Sequence, residues 1–284
     1  MHMGDPQGTP LQQRPPPPRT RPLRTACVAV VVLLALTEAT GAQPPDGKQV
    51  YGRHCEVCHG LIGDGNGEAA ARLRTKPADF TAGRYKFRST MSGAPPTDED
   101  LLRTVTRGVR GTAMVPQAHI GAGELRVVVA YLKTLSPRFA EPARPPVSVP
   151  PAPAVTPELV ARGARVYRAS GCPECHGDGG KGDGPSARKG MKDSRDLPIV
   201  PTDLTRRPLK RGSDTQETWK SIALGLDGTP MPSYTDALEP GEIWALVFFL
   251  ESLVTPDQRQ PEERLLPGEE VLGDQIEREH QGRH

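Results

Sequence analysis

Two short stretches carry residues whose types and spacing could do chemistry: Cys55-Glu56-Val57-Cys58-His59 and Cys172-Pro173-Glu174-Cys175-His176. They hold four of the five cysteines in the 284-residue chain, and in each the second cysteine is followed directly by a histidine. A structural zinc site would want four ligands from paired motifs close together. A redox dithiol has no use for the trailing histidine. Cys-x-x-Cys-His is the attachment pattern of a c-type haem. Two cysteines three apart reach the two vinyl groups of one porphyrin, and the adjacent histidine then lies under the ring to bind iron. At this chain's Cys and His frequencies such a motif arises by chance about 0.002 times, so two of them are no accident. Cys55, Cys58, Cys172 and Cys175 are therefore read as haem-attaching residues, and His59 and His176 as iron ligands.

A sixth ligand is needed if each iron is to be closed to small molecules. Met114 and Met231 each stand 55 residues after the motif histidine, and both sit in Gly-Thr-x-Met. A thioether is a soft ligand, and Met/His ligation raises the reduction potential. Recurrence at one spacing separates these two from ordinary core-filling methionines. Met91 and Met191 do not occupy matching positions, and they read as packing or exposed residues. His54 and His119 have no counterpart in the second stretch and read as surface histidines. An axial histidine normally donates its other ring N–H to an acceptor. Pro77 and Pro201 open matched Pro-x-Asp-[Phe/Leu]-Thr segments, and their carbonyls are candidates for that role.

The elements that must position these groups also repeat. Gly47-x-x-x-Tyr51 precedes the first motif and Gly163-x-x-x-Tyr167 the second; Gly63-Asp64-Gly65 and Gly182-Asp183-Gly184 follow them. The cysteines, motif histidines and paired methionines all recur at an offset of 117 residues. Helices are predicted over 45–54 and 157–170, leading into each motif, over 98–107 and 215–224, and over 122–135 and 240–253. Gly47 and Gly163 are small enough to let the terminal helices approach closely, with Tyr51 and Tyr167 packed in the contact. No alternating strand pattern is visible, so the fold class is all-α.

Residues 1–42 read as a secretory signal: a basic, proline-rich leader, the apolar run Ala26 to Leu36, and small residues at Thr40-Gly41-Ala42. The run is shorter than the ~20 residues that span a bilayer, so no transmembrane span is expected in the mature chain. An uncleaved anchor is the alternative. The remainder divides into a first domain (43–140), a proline-rich linker (141–157), a second domain (158–256) and a charged tail (257–284). Proline-rich stretches favour extended, semi-rigid spacers.

Aromatic residues make up only 4% of the chain, which suits domains whose cores a large apolar cofactor helps to fill. Without residues 1–42 the chain has 32 basic and 32 acidic side chains, which gives no reason to expect a nucleic acid partner. The balance is uneven. Residues 43–145 carry 15 basic and 10 acidic side chains, residues 146–256 carry 13 and 14, and residues 257–284 carry 4 and 8. The first domain is thus expected to meet an acidic patch on a partner.

Together these motifs resemble the class I cytochrome c family, in particular bacterial di-haem members built as two tandem domains. The resemblance runs from Gly47 to Leu135 and from Pro157 to Leu253. It implies an all-α fold, terminal helices crossing near the haem edge, two covalently bound c-type haems (iron), and maturation outside the cytoplasm, in the periplasm or another exported compartment. The function it implies is electron transfer between exported or membrane-bound redox proteins, a donor and an acceptor oxidoreductase. Two alternatives are a cytochrome subunit of a larger respiratory oxidoreductase, and a di-haem peroxidase, which would need an iron that peroxide can reach.

Overall fold

The computed structural model describes residues 46–255. The signal segment 1–42 and the whole of the charged tail, 257–284, lie outside the described residues.

Each half is built around one helix crossing. In the first, α1 (Gly47–His54) starts at Asp46, whose carboxylate accepts from the Lys48 N–H at 3.1 Å, and it packs on α4 (Ala122–Thr134). In the second, α5 (Pro157–Ala169) starts at Thr156 with Pro157 in the first turn, where its missing N–H costs nothing, and packs on α9 (Pro240–Ser252). Between them lie α2 (Glu56–His59), α3 (Asp98–Arg107), and then α6 (Pro173–His176), α7 (Pro185–Lys189) and α8 (Thr215–Leu224). A reciprocal cap holds the start of α3: the Thr97 hydroxyl accepts from the Asp100 N–H, and the Asp100 carboxylate accepts from the Thr97 N–H.

Glycine makes both crossings possible. A Cβ on Gly47 would lie 2.1 Å from the Val127 carbonyl oxygen, and one on Gly163 would lie 2.0 Å from that of Ala245. The rings of Tyr51 and Tyr131 pack at 5.3 Å beside the first crossing, and those of Tyr167 and Phe249 at 5.3 Å beside the second. Gly163→Ala must push α5 away from the most buried helix of its half. A stability loss at the upper end of the overpacking range, about 3 kcal/mol, is expected in denaturant unfolding of the protein.

The cores differ in filling. Val50, Leu125, Val128, Val129 and Leu132 line the first, whereas the second is closed by Trp219, Ile243, Trp244, Leu246 and Phe248. Among the described residues no helix is long and apolar enough to cross a membrane.

Two features depart from the sequence reading. A two-stranded antiparallel ladder, β1 (Met191–Lys192) with β2 (Pro198–Ile199), stands in the otherwise helical second half. The proline-rich segment is docked and does not hang free. The Val147 N–H donates to the Ser89 carbonyl at 2.7 Å, Val147 and Val149 pack on the second core, and the Trp244 indole N–H donates to the Pro150 carbonyl at 3.1 Å.

The two halves are joined by charge as well. Arg88 of the first half is fully buried and donates to the Leu224 carbonyl at 2.8 Å and the Gly225 carbonyl at 3.3 Å, while Asp227 pairs with it at 2.8 Å. Asp227 also accepts from the Ser92 hydroxyl and the Gly93 N–H. A second cluster places Glu217 between Arg103 and Arg211, with Lys220 beside it. Burial alone would raise the Glu217 carboxyl, but Arg211, Arg103 and Lys220 hold it below its ordinary value.

Candidate haem sites

Both motif histidines stand at the C-terminal end of a one-turn helix. α2 carries Cys58 and His59, with Cys55 as its N-cap; α6 carries Cys175 and His176, with Cys172 as its N-cap. All four thiols are free and half-buried. Tyrosine fixes the end of each short helix, because the Tyr51 hydroxyl donates to the Gly60 carbonyl at 2.6 Å and the Tyr167 hydroxyl to the Gly177 carbonyl at 2.7 Å. The sequence reading gave these tyrosines only a packing role. The signal for more was their fixed spacing ahead of each motif.

One ring nitrogen of each histidine is already engaged. Nδ1 of His59 lies 3.2 Å from the Ala78 carbonyl oxygen, and Nδ1 of His176 lies 3.1 Å from that of Thr202. The acceptors are thus the residues after Pro77 and Pro201, not the prolines themselves. An Nδ1–H donated to a carbonyl leaves Nε2 as the free lone pair, which is the tautomer an iron ligand needs. Burial lowers the pKa of both histidines, and the carbonyl hydrogen bond opposes it, so both rings are neutral at physiological pH. Behind His59 lies an aromatic stack, with Phe80 at 4.5 Å and Tyr85 beyond it at 6.1 Å from Phe80. Behind His176 the matching position is Leu204.

The paired methionines occupy matching loops, each ahead of the last helix of its half. In the first, the Thr112 hydroxyl donates to the Val109 carbonyl and accepts from the Met114 N–H; the Val109 N–H donates to the Met114 carbonyl. In the second, Thr229 does the same with Leu226 and Met231. Both methionines are half-buried. The loops therefore share one internal geometry. Met91 is exposed and Met191 lies in β1, away from any matched position. His54 and His119, read separately as surface residues, come together with their rings at 5.5 Å.

The donor set fits a covalently attached haem. Burial, then the neighbouring Cys58, pushes the Cys55 thiol up to about 11, and burial raises Cys172 as well. A redox dithiol or a metal-binding thiolate needs the opposite shift. Among the described residues no group of three or more His, Cys, Asp or Glu side chains is placed to hold a bare metal ion. The Tyr85 hydroxyl, on the far side of the stack behind His59, is buried without a hydrogen-bond partner, which costs about 1–3 kcal/mol unless a bound group takes it up.

Comparison with known proteins identifies the family. Residues 160–254 match the family described as Cytochrome c, and residues 42–132 match the one described as Cytochrome C oxidase, cbb3-type, subunit III. A chain of the Kuenenia stuttgartiensis reducing HAO-like protein complex Kustc0457/Kustc0458 is 38% identical, with a TM-score of 0.72. That alignment covers 74% of this chain and 96% of the other. Matched in both halves and along nearly the whole of that relative, the chain belongs to the cytochrome c family, as a class I member with two domains in tandem and two covalently bound haems.

Proposed function

We propose that this protein passes single electrons between exported redox proteins through two six-coordinate haems. His59 and Met114 are the axial ligands of the first haem, and His176 and Met231 those of the second; Cys55, Cys58, Cys172 and Cys175 form the thioethers. The observation that carries this reading is the twofold recurrence of the whole site. The Nδ1–carbonyl hydrogen bond, the tyrosine anchor and the threonine-braced methionine loop all appear in both halves. Haem supplies the one-electron iron couple. The chain supplies fixed ligands, so little reorganises when the electron arrives. A peroxidase needs one open iron, and two equally braced methionines argue against it.

A second reading is favoured by the structural neighbour, which belongs to a protein complex: the chain works as the cytochrome subunit of a larger oxidoreductase. Surface chemistry supports a dedicated face on the first domain. Val57 within its motif, Leu61 and Ile62 just after it and Val115 next to its methionine are each more than half exposed. At the same offset the second half carries Glu174, Asp178, Gly179 and Pro232. An apolar centre within a basic half fits a partner with an apolar contact ringed by acidic groups.

The test is haem content. Protein matured by a haem-ligation system should carry two haems that survive denaturation and acid extraction, seen as a mass increment of two haem units. One haem, or haem that acid extracts, would refute the assignment.

A further inference from the structure

We infer that Arg195, in the turn between β1 and β2 of the second domain, is a positioning residue for the first haem and holds its reduction potential above what the first domain alone would set. The inference rests on the ligand assignment above, with His59 as the first haem's axial histidine.

The turn is inserted where the two halves differ. Pro77 stands 18 positions after His59, but Pro201 stands 25 positions after His176. The extra length folds as the β1–β2 hairpin, and Asp193 organises its tip. The Asp193 carboxylate accepts from the Arg195 N–H at 2.8 Å and the Leu197 N–H at 3.1 Å. This rigid tip reaches both sites. The Ser194 N–H donates to the Gly228 carbonyl at 2.9 Å, at the start of the loop that bears Met231. The Arg195 guanidinium donates to the Pro77 carbonyl at 2.9 Å, one residue before the carbonyl that receives His59.

Gly65 and Gly182 provide an internal comparison. A Cβ on Gly65 would lie 2.8 Å from the Pro77 oxygen, 2.9 Å from Arg195 Nη1 and 3.1 Å from the Ala78 oxygen. The cation therefore stands within reach of the acceptor that polarises His59. At the matching Gly182 the three nearest atoms are all backbone of residues 201 and 202, with no cation among them.

Two effects follow, with one sign. A positive charge near the Ala78 oxygen draws off electron density, weakens the pull on the His59 Nδ1–H and makes the ring a poorer donor to ferric iron. The same charge directly favours the reduced, less positive iron. Both raise the first haem's potential. Asp193 lies 3.8 Å from the Arg195 Nε and offsets part of the charge at longer range. Neutralising Arg195 would leave that carboxylate with less positive charge facing it, Lys86 remaining, so the change keeps its direction.

The experiment is a potentiometric titration of the full two-haem protein, wild type against Arg195→Gln and Arg195→Lys, with each haem followed through its paramagnetically shifted proton signals. In Arg195→Gln the electron-sharing ratio should move away from the first haem by roughly three- to tenfold, tenfold being about 59 mV for a one-electron couple. The second haem should hold its potential, and Arg195→Lys should recover much of the shift. The inference is overturned if Arg195→Gln keeps two low-spin haems at unchanged potentials, or if both haems fall together as general loosening would make them. Failure of the ligand assignment is seen separately, as a wild-type protein lacking a low-spin His/Met spectrum at the first haem.

Discussion

Replacing Met231 with alanine should convert the second haem from closed to open. Wild-type protein is expected to bind no carbon monoxide when reduced, whereas Met231→Ala should bind one equivalent and Met114→Ala likewise one, at the other haem. The loops predict a clean result. Thr229 and Thr112 hold them through backbone groups of residues 226 and 109, and alanine leaves those hydrogen bonds in place. The side chain is lost while its loop stays, so the vacated position is a vacancy at iron and not a collapsed segment. Loss of the thioether should also lower that haem's potential, because sulfur favours ferrous iron. The near-infrared band from methionine to ferric iron should fall by half in each single variant and vanish in the double. If the wild-type protein binds carbon monoxide stoichiometrically and turns over peroxide, the carrier reading fails and the peroxidase reading takes its place.

How much of this was legible in the sequence depends on how local each feature is. The attachment motifs and the paired methionines recur at one fixed offset of 117 residues, which the sequence displays directly. The helices also read well, since 98–107 and 215–224 carry caps and a periodic apolar face that the structure reproduces. The histidine acceptor was missed by one residue for a physical reason. Successive carbonyls of an extended segment point to opposite sides, so choosing Pro77 or Ala78 is a choice of register that proline does not settle. The β1–β2 hairpin was missed because two-residue strands, one containing a proline, are too short to show alternation. What joins the halves was illegible altogether. Arg88 meets Leu224 and Gly225 across more than 130 residues, and no local pattern marks an arginine as buried. The proline-rich segment did read as extended. Its docking turns on Val147, Val149 and the Pro150 carbonyl, which composition treats as spacer.

That docking gives the last prediction. Arg88 is 0% exposed, and its partners are two helix-terminal carbonyls, the Met91 carbonyl of its own half and Asp227, whose side chain is 15% exposed. Removing one partner from a buried pair costs up to about 3–5 kcal/mol, several times the worth of an exposed ion pair; here the two carbonyls lose this donor and Asp227 keeps only Ser92 and Gly93. Arg88→Ala is therefore expected to loosen the register of the halves, and with it the Arg195–Pro77 contact, while the attachment motifs and methionine loops keep the hydrogen bonds made within their own halves. The linker and the Glu217 cluster would remain, so the halves should part in solution without dissociating. In calorimetry the wild-type protein should unfold in one transition. Arg88→Ala should unfold in two, with the first half, which lacks the tryptophan-filled core, melting earlier. Because Arg211 donates to the Arg88 carbonyl through backbone oxygen that alanine keeps, the effect is assigned to the lost guanidinium and not to a rearranged turn. Arg88→Lys should give an intermediate result, since an ammonium keeps the charge facing Asp227 but cannot fork to both carbonyls. If Arg88→Ala still unfolds in a single transition at an unchanged midpoint, the linker, the second ion cluster and the Arg195–Pro77 contact hold the halves without it, and Arg88 has no part in joining them.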